Sequence, residues 1–242
     1  MIEITIPILN EESTLDAQVR KIIDFIAHHL DDLASINLIL ADNGSTDSTP
    51  IIARALEREF ERVHYLRLEE RGVGRALKAS WEDSGAFIVG YMDLDLATSL
   101  DHLRPALELL LSDHSDIVTG SRLAKGSRVV GRSLLRNITS RGFNLILKIV
   151  FQTSFSDGMC GFKFLKRSNL EQLRAAGAVS NGWFFATEIL ITAEYLGLRI
   201  GDLPVEWTDD PNSKVKIGRL VVEYLKAMRV LRRRLPKRAV SA

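Results

Sequence analysis

One cysteine, Cys160, is all that the 242 residues offer, so no disulfide can close within the chain and any fold must rest on its core. Nor is there an apolar run of the about 18 to 20 residues that a bilayer span requires. The most apolar stretch, residues 143–151, is short and carries Lys148 in its middle. No basic-then-apolar leader precedes the first strand-like run at residues 2–6, and with the lone thiol this predicts a reducing, cytoplasmic setting. Six prolines against 16 glycines, with no internal repeat or low-complexity segment, exclude collagenous, repeat and disordered classes. The five histidines are scattered and Cys160 sits in an apolar Gly-Phe context, so neither a Ser-His-Asp nor a Cys-His nucleophile is expected.

What is present suits a folded domain. Apolar residues make up 46% of the chain and charged residues 26%, and folding a chain of this length buries roughly 28,000 Å². The net charge of +1 hides a division. Residues 214–238 hold ten basic side chains against Glu223 alone, so that segment carries +9 and the remainder −8. Within it Leu220, Tyr224, Ala227, Met228, Leu231 and Leu235 form one helical stripe, with Lys226, Arg229 and Arg233 opposite. Such a basic amphipathic helix either docks on the core with a solvated basic face or is drawn to anionic lipid head groups, at about 1 kcal/mol per basic residue near the surface. Nucleic acid is not an expected partner, because no recognition motif or aromatic interleaving accompanies the charge and the rest of the chain is acidic.

Strand-like runs at residues 2–6, 36–41, 63–68, 86–92 and 116–120 alternate with helical stretches at 12–30, 46–61, 73–83 and 99–111. The runs ITIPIL, INLILA and AFIVGYM are continuously apolar, which predicts burial on both faces and an α/β fold whose mostly parallel sheet is covered by helices. Ligands bind such sheets beyond the carboxyl ends of the strands. The polar motifs lie there: Asn10-Glu11-Glu12, Asp42-Asn43-Gly44-Ser45 and Asp93-Leu94-Asp95. Beyond residue 122 the pattern loosens. Residues 121–133 read as a mobile loop over the site and 137–151 as a helix with an apolar face.

Two carboxylates one residue apart at a strand end, Asp93 and Asp95, can face one hard cation, and Mg²⁺ or Mn²⁺ held by few carboxylates keeps positions open for phosphates. Capping acids share that spacing, but burying two such carboxylates without a cation is costly. Asp42, at its strand end, has a base, a ribose or the helix-entry backbone as partners. The segment RGVGRAL at 71–77 fails as a dinucleotide fingerprint, since Leu77 replaces the third small residue and the run follows the third strand. Its glycines still allow close backbone approach to a sugar or phosphate. Arg122 closes the fifth strand, with Arg128, Arg132 and Arg136 behind it, a cluster suited to anionic oxygens. For Arg128 and Arg132 the alternative is solvated loop charge. Asp157 and Glu188 read as bases or as structural acids.

Taken in order, these residues resemble the family 2 glycosyltransferases of the GT-A fold. IPILNEE (6–12), ADNGSTDST (41–49), RGVGRAL (71–77) and MDLDLATS (92–99) are similar to that family's opening turn, nucleotide-binding acidic turn, glycine segment and DXD loop. GSR (120–122), RNITSRGFN (136–144), DGMCGFKFLKR (157–167) and VEWTDDPNSKV (205–215) resemble motifs of the polyprenyl-phosphate sugar transferases, which include the dolichyl-phosphate mannosyl- and glucosyltransferases. The resemblance implies a transferase domain over 1–215, with a nucleotide-sugar half at 1–122 and an acceptor half at 123–215, followed by the basic tail at 216–242. It implies Pro7, Asn10, Glu11, Asp42, Gly74 and Asp93 on the nucleotide, and Asp93 and Asp95 on the metal. It implies Arg122, Arg136 and Ser140 on an acceptor phosphate, where Lys214 is also expected; Asp95 and Arg122, with Asp157 and Glu188 as the candidate bases read above, make up the expected catalytic set. Three positions depart: Leu9 stands where an aromatic often lies, Asn43 replaces a second Asp, and Ala97 replaces a metal-shell Gln. Relatives often add C-terminal transmembrane helices, so membrane contact is expected to be peripheral, at the inner face.

In an inverting transfer, charge grows on the departing nucleoside diphosphate, where a cation at Asp93 and Asp95 stabilises it. A lipid monophosphate, with a second pKa of about 6, is already nucleophilic at neutral pH and needs orienting arginines more than a base. A saccharide or small-molecule hydroxyl needs a general base, Asp157 or Glu188. That acceptor is the main alternative. A nucleotidyltransferase and a non-catalytic lipid-surface module are the others.

Overall fold

Continuous apolar runs become the interior of a seven-stranded sheet in a computed structural model that describes residues 1–209 and 217–235. The strands are β1 (Ile2–Ile8), β2 (Ile36–Asp42), β3 (Val63–Arg67), β4 (Ile88–Met92), β5 (Ile117–Ser121), β7 (Phe162–Lys166) and β8 (Ile200–Pro204), with β6 (Arg128–Val130) and β9 (Glu206–Thr208) in a separate two-stranded ribbon. The sheet order is β3-β2-β1-β4-β7-β5-β8. All its pairings are parallel except those of β7, which runs antiparallel to β4 and β5. The expectation of a mostly parallel sheet is met, and the exception is a strand that sequence periodicity did not reveal.

Helices α1 (Leu15–His29), α2 (Thr49–Glu59) and α4 (Leu103–Leu111) cover one face, and α3 (Val73–Glu82), α5 (Leu134–Phe151), α6 (Leu170–Ala175), α7 (Phe185–Tyr195) and α8 (Ile217–Arg234) the other. The amphipathic spacing of α1 buries Leu15, Val19, Ile22 and Ile26 against Ile2, Ile4 and Ile6. On the opposite face Trp81, Tyr91, Phe184 and Phe185 form the second core cluster. Residues 121–133 are not the free loop that their composition suggests. The Ser121 and Ser127 hydroxyls bond loop backbone, and β6 pairs with β9 in parallel. The basic tail helix docks through Tyr224, Met228 and Leu231, with Tyr224 5.0 Å from Phe143 of α5 and 5.3 Å from Phe184 between ring centroids. Among the described residues no helix is long and apolar enough to cross a membrane.

Candidate active site

The carboxyl ends of β1, β2, β4 and β5 open on one edge, and the loops that leave them are tied together. Asn10 donates its N–H to the Ser45 hydroxyl (2.9 Å) and accepts from the Thr46 N–H (2.9 Å), and the Glu11 N–H donates to Thr49 Oγ1 (2.7 Å). Asn10 does this at φ 56°, a left-handed conformation that Asn tolerates better than most residues. Pro7 lies inside β1 opposite Ala41. Asp42 is wholly buried and accepts from the Ser45 N–H (2.8 Å), the Tyr65 hydroxyl (2.7 Å) and Arg67 Nη1 (2.9 Å). Burial would push this carboxyl up, but those hydrogen bonds and the Arg67 charge win and hold it below the usual range. Asp42 therefore shapes the turn that follows β2.

Gly74, expected to admit a ligand, admits protein instead. A Cβ there would stand 2.5 Å from the Ser180 carbonyl and 2.8 Å from that of Gly182. The Gly74 and Arg75 N–H groups donate to the Gly182 and Asn181 carbonyls (3.1 Å each). The opening amides of α3 are thus spent on residues 181–182, and the glycine is needed for that close approach.

Asp93 follows β4, its N–H donating to the Gly161 carbonyl (3.1 Å). Gly161 leaves the hollow in which the carboxylate lies, since a Cβ at that position would overlap it. Burial, and next the charge of Asp95, raise the Asp93 carboxyl to about 7, against the opposing pull of Lys163 and Arg122. Asp95 is exposed at the head of the loop and accepts from the Ala97 N–H (3.0 Å). This pair fits a divalent cation: two hard oxygen donors, one pushed toward its neutral form by burial and then by its neighbour's charge, sit at an open sheet edge. Among the described residues no third His, Cys, Asp or Glu joins them, so water or substrate would complete the shell.

Beyond Asp93 lies a basic cluster. Arg122 is 8% exposed and forks onto Asp157 through Nε (2.7 Å) and Nη2 (3.0 Å). Burial acts against the Asp157 charge, but Arg122 overcomes it and holds the carboxyl at about 2. Asp157 is consequently no general base: its lone pairs serve Arg122 and the Met159 N–H (3.0 Å). Glu188 fails in a different way. It is buried on α7, accepts from the Val179 N–H (2.9 Å), the Ser180 N–H (2.7 Å) and the Ser180 hydroxyl, and so anchors the 179–180 turn.

Arg136 pairs with Asp209. Ser140 is buried on α5, with its hydroxyl unpartnered among the described residues. Lys214 lies outside the described residues. One group, Lys163, went unrecognised in the sequence, and one, Arg132, was left between two readings. Lys163 is a fully buried cation on β7, donating to the Cys160 carbonyl and lying 5.9 Å from the Tyr91 ring centroid. A Lys between two Phe in an apolar strand was its only signal. Arg132, read there as part of an anion-binding cluster with loop charge as the alternative, stacks on Trp207 opposite no carboxylate among the described residues.

Comparison with known proteins gives the family and the fold. Residues 3–174 match the model of glycosyl transferase family 2. The glycosyltransferase AglD of Haloferax volcanii is 32% identical over 219 residues, 90% of this chain, which spans only 35% of that protein's length. The dolichyl-phosphate beta-glucosyltransferase of Drosophila melanogaster is 28% identical over 225 residues, covering 88% of this chain and 69% of that one. Glucosyl-3-phosphoglycerate synthase from Mycobacterium tuberculosis, in a structure with Mn²⁺, UDP and phosphoglyceric acid, superposes with a TM-score of 0.70 at 20% identity, over 100% of this chain and 81% of that one. The fold is the one the GT-A resemblance implied. By its motifs and by this match over more than half its length, the chain belongs to glycosyl transferase family 2.

Proposed function

We propose that the chain transfers a hexosyl group, with inversion, from a UDP-sugar to a polyprenyl phosphate at an anionic membrane surface. The observation that carries this reading is the state of the two carboxylates that a hydroxyl acceptor would require. Asp157 is neutralised by Arg122, and Glu188 is consumed by the 179–180 turn. An acceptor that is already ionised needs neither. The names of the relatives, dolichyl-phosphate glucosyltransferases among them, support the acceptor class, and a structural neighbour bound to Mn²⁺ and UDP-glucose supports the donor. Asp93 and Asp95 would hold Mg²⁺ or Mn²⁺, which when bound neutralises charge on the donor diphosphate. The Ser45 to Thr49 turn and the Asn10 loop would cradle the nucleoside, Arg122 would supply fixed positive charge near Asp93, and Arg136 and Ser140 would face the acceptor. The exposed aliphatic side chains of α5 support the membrane surface as partner.

The test is transfer of labelled glucose from UDP-glucose to a polyprenyl phosphate. Asp95→Asn, an exposed substitution that leaves the core intact, should abolish both turnover and the Mn²⁺-dependent rise in melting temperature with UDP. Unchanged binding and turnover in that variant would remove the metal assignment.

A further inference from the structure

Three arginines and two aspartates meet near the β6–β9 ribbon. Arg122 is matched by Asp157 and Arg136 by Asp209. The third guanidinium, Arg132, has no carboxylate partner among the described residues. Its Nε and Nη1 are buried and make no hydrogen bond there, a state that is costly for charged donors unless an acceptor arrives. The group is nonetheless well positioned. Arg122 and Arg132 each lie 5.3 Å from the Trp207 ring centroid, so the indole holds the surplus charge beside one that Asp157 already satisfies. Burial first, and the Arg122 charge second, bring the Arg132 guanidinium down to about 10, the direction expected of a cation waiting for a counter-charge.

What lies next to Arg132 identifies the form of that counter-charge. Helix α5 begins two residues later, capped by Ser133, and its first turns present Leu134, Leu135 and Ile138 at 81%, 65% and 68% exposure. A half-buried guanidinium, two of whose nitrogens are buried and unbonded among the described residues, thus stands at the head of an exposed aliphatic stripe. On the inner side of the same helix the Ser140 hydroxyl is also buried, without a partner among the described residues. One turn on, Asn144 accepts from the Gly158 N–H (2.8 Å), which fixes the helix against the residue that follows Asp157.

We infer that Arg132 receives the oxyanion of an amphiphilic monophosphate whose hydrocarbon chain leaves along the outer face of α5. Guanidinium suits this because its planar fork binds two phosphate oxygens at once. The inference rests on the proposed acceptor class and adds the residue that reads its head group, with Arg122 held on Asp157 as a neighbouring fixed charge.

The experiment is calorimetric titration of the full chain, without donor, with a short-chain isoprenyl monophosphate below its micellar concentration and, separately, with inorganic phosphate. Loss of a charged hydrogen bond worth about 1.5 to 3 kcal/mol predicts that Arg132→Gln binds the isoprenyl phosphate about 10- to 150-fold more weakly. UDP affinity in Mn²⁺ should be unchanged. Arg132→Met serves as a second charge-free variant should the Gln protein not fold, and Arg132→Lys should recover part of the affinity. The inference is overturned if the wild type binds no isoprenyl phosphate, if the charge-free variants bind it equally well, or if they lose UDP instead. Inorganic phosphate binding as tightly as the isoprenyl ester would overturn the role given to α5. A wild type that binds the ester but transfers no sugar to it would fault the proposed reaction and leave this inference standing.

Discussion

Asp157 shows how a carboxylate that reads as a base becomes a counter-ion. Its folded value of about 2 lies below the ordinary Asp value near 3.9, so the Arg122 pair contributes stability that is complete above about pH 4 and is lost as pH falls through 2, amounting to about 2 to 3 kcal/mol. Removing the acid strands a guanidinium that is 8% exposed. Asp157→Asn should therefore cost about 3 to 5 kcal/mol at neutral pH and flatten the acid limb of the stability profile between pH 4 and 2. Urea denaturation across that range measures both, and an unaltered acid limb would place the lost protonation elsewhere. The placement of Asp93 and Asp95 just beyond a strand end was legible because a continuous apolar run precedes them. The partners of Asp157 and Arg132 were not, because residues 122, 132, 157 and 207 are joined only by the folded chain.

The elements were legible as far as a regular alternation lasted. β1 to β5 and α1 to α4 match the apolar runs and periodic stretches to within a few residues. β7 was not read, because its FKFLK carries two lysines and it is inserted antiparallel between β4 and β5 after a long helix, out of sequence order. The glycine segment was read in place but given the wrong neighbour. The start of α3 lies against residues 180–182, so Gly74→Ala should overpack that contact and destabilise the protein by about 1 to 3 kcal/mol. UDP affinity in the folded variant should change little. Weaker UDP binding at undiminished stability would return Gly74 to the nucleotide.

The charge and apolarity of the molecule are both unevenly spread, and the proposed membrane contact can be tested on each of them separately. Leu134, Ile138, Leu145 and Ile149 recur at i, i+4, i+11 and i+15 of α5 and are all more than half exposed, with exposed Arg141 and Lys148 on the same helix. Against the buried side of α5 lies α8, whose Lys226, Arg229, Arg232 and Arg233 are exposed while the rest of the chain is net acidic. Insertion of the aliphatic stripe does not depend on salt, whereas attraction between exposed charges shrinks as the Debye length falls from about 10 Å at 0.1 M to 3 Å at 1 M. The two contributions therefore separate. Replacing Arg229, Arg232, Arg233 and Arg234 by Gln, which preserves helix propensity and the docked face, should remove only the salt-sensitive part of binding to anionic vesicles. Replacing Leu134, Ile138, Leu145 and Ile149 by Gln should leave the melting temperature near that of the parent, because these side chains bury little, yet should abolish the binding that survives in 1 M salt. Sedimentation with anionic and neutral vesicles at both ionic strengths reads the two variants side by side. If the α5 variant pellets as the parent does, the stripe does not enter the bilayer, and the basic face of α8 carries the contact alone.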